Sequence, residues 1–492
     1  MKPILPTLLK DFYKVGHRFQ YPDDTTLVYS NLTPRSSRVD WADGVIDFGF
    51  QYFVREYLIN QFEQNFFRKS RDEVVKAYKR RVDYALGPGT DVSHIGELHE
   101  YGYLPLLVKA VPEGTLVPLR VPLLTIRNTE PKFFWLTNMV ESLLSNVLWQ
   151  PITSATTAFG YRRVFERYAK ETGADVAFVP WQGHDFSFRG LSGVEAACLS
   201  GAAHLLSFTG TDTIPAIDFL ETYYGANCEE ELIGGSVPAT EHSVMCMGLE
   251  NGELETFKRL ITEVYPSGIV SIVSDTWDFW QVLNDYLPRL KDLVLQRNGK
   301  VVIRPDSGDP VKIICGDPDG KTPWEVAGAI EVLYAIFGGR VNSHGYRELD
   351  PHVGLIYGDS ITPERQRQIL SGLRDRGFAS SNVVLGIGSY TYQYVTRDTF
   401  GIAMKATYGE TKSRGPQAIF KAPKTDDGTK NSAKGLLKVD SHPLDNGGRL
   451  RCVEDCSWDE EAQGILQPVF KNGIPHNIQT LKEIRGRVER QL

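Results

Sequence analysis

Between residues 151 and 393 the chain repeats one pattern, a short apolar run that ends in polar residues and gives way to apolar positions at helical spacing. The runs end in HDFSFRG (184–190), TGTDT (209–213), SVPATEHS (236–243), SIVSDTWD (271–278), IRPDSGD (303–309), LIYGDS (355–360) and VLGIGS (384–389). Strand and helix alternating at this pitch predict a parallel α/β domain, and seven such units favour an irregular (β/α) barrel over an open sheet. One helix start is explicit, with Thr362 as N-cap, Pro363 in the first position and Gly377 beyond the end. In a parallel barrel the C-terminal strand ends share one mouth, so polar residues scattered along the sequence converge there.

The flanks read differently. Residues 51 to 86 place apolar positions at helical spacing among many charges, and GYLPLLVKAVPEGTLVPLRVPLLTIR (102–127) predicts a meander of short strands. Helical spacing returns after Pro131, and the last hundred residues are strand-like with a polar loop at 424–435. The expected organisation is a mixed α/β domain begun by 1–150, a barrel over 151–388, and a C-terminal part, 389–492, completing the mixed domain.

Composition narrows the function. The chain has 492 residues, 41% hydrophobic and 23% charged, with a net charge of −7, which disfavours nucleic-acid binding by bulk electrostatics. Six cysteines with no CxxC pair fit a reduced, cytoplasmic setting better than a disulfide scaffold or structural zinc. The N-terminus does not read as a secretory signal, and no stretch approaches the roughly 20 apolar residues of a membrane span.

Each polar strand end has a bland reading and a chemical one. Arg304 and Asp306 could form a surface ion pair; Phe186 could be core; His242, next to Glu241, could be a satisfied structural histidine; Asp212 and Asp275 could be helix N-caps. Five ionisable positions on successive strand ends are hard to explain as independent accidents. Together they describe a cleft with Phe186 as aromatic platform, Arg189 and Arg304 for phosphate, and Asp275 and Asp306 for a divalent cation. Gly358 and Asp359 suit ribose hydroxyls, and the glycine-rich turn ending at Gly388 suits phosphate. An aromatic slot, metal, ribose and phosphate point to phosphoribosyl chemistry.

These residues resemble the nicotinamide phosphoribosyltransferase family of type II phosphoribosyltransferases. The likeness runs nearly end to end, through DFYKVGHRFQYP (11–22), KAVPEG (109–114), WLTNMVES (135–142), the strand-end motifs above, TRD (396–398) and VFKNG (469–473). It implies an irregular α/β barrel joined to a mixed domain, and a homodimer with shared active sites. It also implies phosphoribosyl transfer from 5-phosphoribosyl 1-pyrophosphate to nicotinamide with Mg²⁺, giving nicotinamide mononucleotide and pyrophosphate. By matching position, Phe186 and the partner's Tyr13 would sandwich the pyridine ring, Asp212 would accept the carboxamide N–H with Ser271 nearby, and Arg304 and Arg189 would meet ring and phosphates. Asp306, Gly358 and Asp359 would hold ribose, and Asp275 with Asp306 the metal. Arg35, Arg397, Lys405 and Lys421 would surround the 5′-phosphate from the partner. His242 matches the histidine phosphorylated when ATP hydrolysis is coupled to transfer, with Glu241 and Lys430 placed to help. The chain departs from the pattern at Gly354, where relatives can carry arginine, at Ser389, Tyr390 and Ala403, and at Gln182, expected at a tunnel mouth. Nicotinate phosphoribosyltransferase is the nearest alternative, and a non-catalytic binding protein on the same fold is another.

Overall fold

The computed structural model describes residues 4–425, 431–441 and 449–492, so Lys430 lies outside the described residues. The chain divides into two compact units. One comprises Met1–Thr156, Leu220–Ala226 and Val395–Gln491; the other comprises Thr157–Phe219, Asn227–Tyr394 and the terminal Leu492. Among the described residues no helix is long and apolar enough to cross a membrane.

The first unit is built on an antiparallel sheet of seven strands, in the order Gly415–Ala418, Ala403–Thr411, Thr25–Thr33, Leu124–Asn128, Leu106–Ala110, Gln467–Lys471 and Ile474–Pro475. The meander expected over 102–127 is corrected here. Its outer strands pair with each other, while Leu116–Pro118 leaves the sheet to pair with Gly44–Ile46. Pro118 has no N–H to give a central ladder, which suits a small two-stranded ribbon.

This unit also buries two carboxyl groups. Glu113 accepts backbone N–H bonds from Gly49 at 3.1 Å and Gln51 at 2.6 Å, whereas both carboxyl oxygens of Asp47 are buried without a hydrogen-bond partner. Burial pushes Glu113 up to about 7, and burial plus the neighbouring Glu113 pushes Asp47 well above its ordinary range. A carboxyl that holds its proton longer when folded contributes stability at low pH that is lost as pH rises through the folded value. Glu113→Gln keeps the shape without the titration. Its stability relative to the parent chain is therefore expected to rise by about 3 kcal/mol between pH 5 and pH 8, measured by urea unfolding at each pH; a constant difference would refute it.

In the second unit the six strands are parallel, in the order Gly210–Thr211, Gly183–Asp185, Val383–Ile387, Val353–Tyr357, Asn298–Arg304 and Ser267–Val273. The third of the seven runs, SVPATEHS, is not a strand. Its extended segment instead joins the two sheet edges through single parallel bridges, Gly210 with Gly235 and Ala239 with Ser271, closing an irregular barrel. Pro238 explains why the contact stays a bridge, since proline can accept but cannot donate: Ser271 N–H reaches the Pro238 carbonyl at 2.8 Å, and Thr240 N–H returns to Ser271 at 3.0 Å.

Alternation along each strand sorts its side chains. Val301 and Ile303 are buried in the hydrophobic core, while Lys300, Val302 and Arg304 line the barrel cavity. Helix starts follow the sequence signals. The Thr362 hydroxyl accepts from Arg365 N–H at 3.2 Å, and Gly377 sits at φ +75° past the helix Pro363–Asp375. Acidic N-caps in this unit include Asp175, Asp278 and Asp309, whereas Asp212 and Asp275 make their bonds to side chains and backbone of other strand ends.

Candidate active site

Phe186 follows directly on the strand Gly183–Asp185, and two glycines make its place. A Cβ on Gly386 would lie 2.4 Å from Phe186 Cδ2, and one on Gly358 would lie 3.3 Å from Phe186 Cε2 and 2.9 Å from Asp306 Oδ1. Gly358 and Gly386 are thus small because the aromatic platform and a carboxylate occupy the space a side chain would take. On the opposite face of the strand, Asp185 is fully buried and ties neighbouring strand ends together. It accepts from Ser187 Oγ at 2.6 Å and from Thr213 Oγ1 at 2.6 Å.

Asp212 stands beside the platform. Its Oδ1 accepts from His184 Nε2 at 2.8 Å and Ser236 Oγ at 2.6 Å, so Oδ2 is left without a protein hydrogen bond among the described residues. Burial opposes its charge, but the bonds from His184 and Ser236 and the field of Arg304 outweigh it and hold the carboxyl below the usual carboxylate range. His184 is a site residue that the sequence reading missed. The period-2 rule would have found it, because 184 and 186 share a strand face while 185 points away. Ser271 is buried next to the same space, and its hydroxyl has no hydrogen-bond partner.

The carboxylate pair forms where two strands end together. Asp275 Oδ2 accepts the Asp306 N–H at 3.0 Å, and Asp275 Oδ1 lies 3.3 Å from His242 Nε2. Arg304 donates to the Thr240 carbonyl at 2.6 Å and approaches Asp306 Oδ2 at 3.3 Å. Burial raises the Asp306 carboxyl; Arg304 and His242 pull it back, and Asp275 and Asp359 push it further up. Asp306 Oδ1 is buried with no hydrogen-bond partner. The carboxylate reaching His242 is Asp275, because Glu241 instead accepts from the Ser243 hydroxyl.

Two compartments share Phe186, Asp212 and Arg304 as a common wall. The outer, at the strand tips, is a cavity of about 660 Å³ that also gathers Arg189, His242, Asp306, Gly358, Asp359 and Gly388. The inner, about 370 Å³, runs into the barrel past Ser271. Ser389 also lines the outer compartment, its Oγ where a Gly190 Cβ would come within 2.1 Å. Gln182 lines neither compartment, contrary to expectation. It is fully buried, donating to the Ser380 and Val383 carbonyls at 2.8 and 3.1 Å.

The remaining predicted residues lie in the other unit. Arg35, Arg397 and Lys421 all bear electrostatically on Lys405, whose ammonium is pushed down first by burial and then by these three cations, against the pull of Glu141. Gathering four cations around one counter-charge costs free energy unless an anion joins them. Tyr13 is 62% exposed on a single helical turn, Phe12–Val15.

Comparison with known proteins agrees with this geometry. A family model described as the nicotinate phosphoribosyltransferase (NAPRTase) family matches residues 181–474, and the nicotinamide phosphoribosyltransferase N-terminal domain matches residues 6–85. Two solved structures share the fold: nicotinate-nucleotide pyrophosphorylase from Pyrococcus furiosus (TM-score 0.55, 14% identity, 99% of this chain and 95% of that one) and human nicotinic acid phosphoribosyltransferase (0.52, 15%, 98% and 93%). The family model, which spans more than half of the chain, places the protein in the nicotinate phosphoribosyltransferase (NAPRTase) family of phosphoribosyltransferases. The chain is 53% identical to a nicotinamide phosphoribosyltransferase of Acinetobacter baylyi over 98% of its own length and 96% of that protein's. It is 38% identical to one of Mycoplasma pneumoniae over 86% and 93%. It belongs to the nicotinamide phosphoribosyltransferase family.

Proposed function

We propose that the protein transfers the phosphoribosyl group of 5-phosphoribosyl 1-pyrophosphate to nicotinamide, giving nicotinamide mononucleotide and pyrophosphate. The observation that carries this is the shared wall of the two compartments, where an aromatic face, a carboxylate with one open oxygen, and an arginine meet. The pyridine ring stacks on Phe186, and its carboxamide N–H donates to Asp212 Oδ2, with Ser271 Oγ open to a further bond. The ring nitrogen then faces the outer compartment, where its lone pair attacks ribosyl C1 as the C1–O bond to pyrophosphate breaks. That nitrogen carries no proton to remove, so the work is positioning and charge neutralisation.

Arg304 and Arg189 face the phosphates, and Asp359 with the Gly358 backbone faces the ribose hydroxyls. Asp275 and Asp306 fit a Mg²⁺ site of the kind built from one or two carboxylates and completed by substrate phosphates. Asp306 Oδ1 is buried and unpartnered, and no cluster of three or more ligating side chains among the described residues could hold a metal alone. When bound, Mg²⁺ would neutralise charge on the departing pyrophosphate.

A second copy of the chain completes the site in this reading, supplying Tyr13 for the other ring face and Arg35, Arg397, Lys405 and Lys421 for the 5′-phosphate. The four clustered cations support it. Six free cysteines support a reducing, cytoplasmic setting.

The deciding experiment is product formation from nicotinamide and from nicotinate with the pyrophosphate donor, with and without ATP; absence of nicotinamide mononucleotide would overturn the assignment. His242 is the residue we assign to ATP coupling, because its imidazole is half exposed in the outer compartment and held by Asp275. His242→Ala is expected to bring the ratio of rates with and without ATP to unity. Label from the γ-phosphate of ATP appearing on that variant as on the parent would refute the assignment.

A further inference from the structure

The first unit carries a cavity of about 480 Å³ between its N-terminal segment and the helix Arg71–Leu86. Leu5, Leu8, Phe12 and Val15 wall one side and Val74 and Val82 the other, and Lys10 lines the space among them. The Lys10 ammonium donates to the Tyr78 hydroxyl at 2.9 Å and lies 5.0 Å from the centre of that ring. The transfer reaction makes no use of it.

Among the described residues no carboxylate stands within ion-pair distance of Lys10. The two that line the cavity are engaged elsewhere: Asp11 accepts from the Ser142 hydroxyl, and Glu73 lies 3.6 Å from Lys69. Lys14 is nearby, with its ammonium 2.5 Å from Glu141, and Arg80 and Arg81 add further positive charge to the cavity lining. Burial, and then the Lys14 ammonium, bring the Lys10 amine down to about 7. Burial is also the first cause, and Lys10 a later one, of the lowered pKa of both His17 and His94. A lysine desolvated in an apolar pocket, or set next to another cation, is an activated nucleophile because more of it carries a free lone pair. Lys10 meets both conditions.

The surrounding charge selects the electrophile. A neutral adduct would leave the neighbouring cations as they are, whereas an anionic one is attracted by them. We propose that Lys10 takes up carbon dioxide reversibly as a carbamate. The Nζ lone pair bonds to the carbon of CO₂, one C–O π pair moves onto oxygen, and an N–H proton passes to water, so an anion replaces the amine. The Tyr78 hydroxyl, which accepts from the amine, donates to the carbamate oxygen. Lys10 stands three residues before Tyr13, so the charge of the segment that carries Tyr13 follows dissolved CO₂.

The test holds the full chain in ¹³C-labelled bicarbonate at about pH 8, above the lowered value of Lys10 and below that of an ordinary lysine. Triethyloxonium ion then fixes any carbamate as its ethyl ester, and peptide mass spectrometry maps the label. No substrate is present, so the outcome does not depend on the proposed reaction. Label on Lys10 is expected to exceed that on the exposed Lys76 about tenfold or more, and Lys10→Arg to abolish it. Label on Lys10 no higher than on Lys76, or none there at all, overturns the proposal, as does undiminished label on the same peptide of Lys10→Arg. Mapping separates Lys10 from the α-amino group, and the comparison within the parent chain decides the matter if the variant fails to fold.

Discussion

Replacing Asp212 by asparagine should lower kcat/KM for nicotinamide about a hundredfold and, in the same variant, raise the use of nicotinate relative to nicotinamide. Both effects come from one atom. Asp212 Oδ1 is taken by His184 and Ser236, which leaves Oδ2 open to accept the carboxamide in the proposed pose. Hydrogen bonds to a charged group contribute about 1.5 to 3 kcal/mol, which sets the expected loss. A nicotinate carboxylate brought to the same place meets a second negative charge in a partly dry slot; asparagine removes that repulsion and offers a donor instead. A direct competition between the two bases measures the ratio, and unchanged selectivity would exclude Asp212 as the discriminating residue.

Asp306→Asn should be the more damaging change to turnover itself, lowering kcat about a thousandfold with a smaller change in nicotinamide KM. The substitution keeps size and most contacts, since the Asp306 N–H still reaches Asp275 and the Gly358 backbone still has room. What disappears is the buried, unpartnered charge of Oδ1 in the outer compartment, together with the counter-charge to Arg304. In the proposed reaction that charge holds cationic groups where pyrophosphate departs, so the loss is expected in the transition state. Pyrophosphate release measured at saturating nicotinamide checks it. Near-parental kcat would reduce Asp306 to a structural partner of Arg304.

The site was partly legible because its residues sit at strand ends whose spacing is written in the sequence. Phe186, Asp212, Asp275, Arg304 and Asp306 stand out as polar or aromatic terminations of apolar runs, and the barrel rhythm alone gathers them. His184 opens the polar tail HDFSFRG, and strand alternation places it with Phe186, but a histidine at a strand end is in sequence no different from a structural one. Gly358 and Gly386 have a second role beside any ligand contact, since a Cβ on either would meet the Phe186 ring or Asp306, a matter of inter-strand packing that no local pattern encodes. Gln182 was misplaced because a buried amide satisfied by two carbonyls looks, in sequence, like any polar residue near a strand.

Sequence by itself determined the alternating architecture, the helix caps such as Thr362, the strand tips that carry the chemistry, and the family, since these depend on residue order and local propensity. Only the tertiary structure decided how the barrel closes through Pro238, which oxygen of Asp212 stays open, and that Asp275 and not Glu241 meets His242. The reason is physical: each of these depends on which atoms of distant segments come within a few ångströms, and on how much water is excluded when they do.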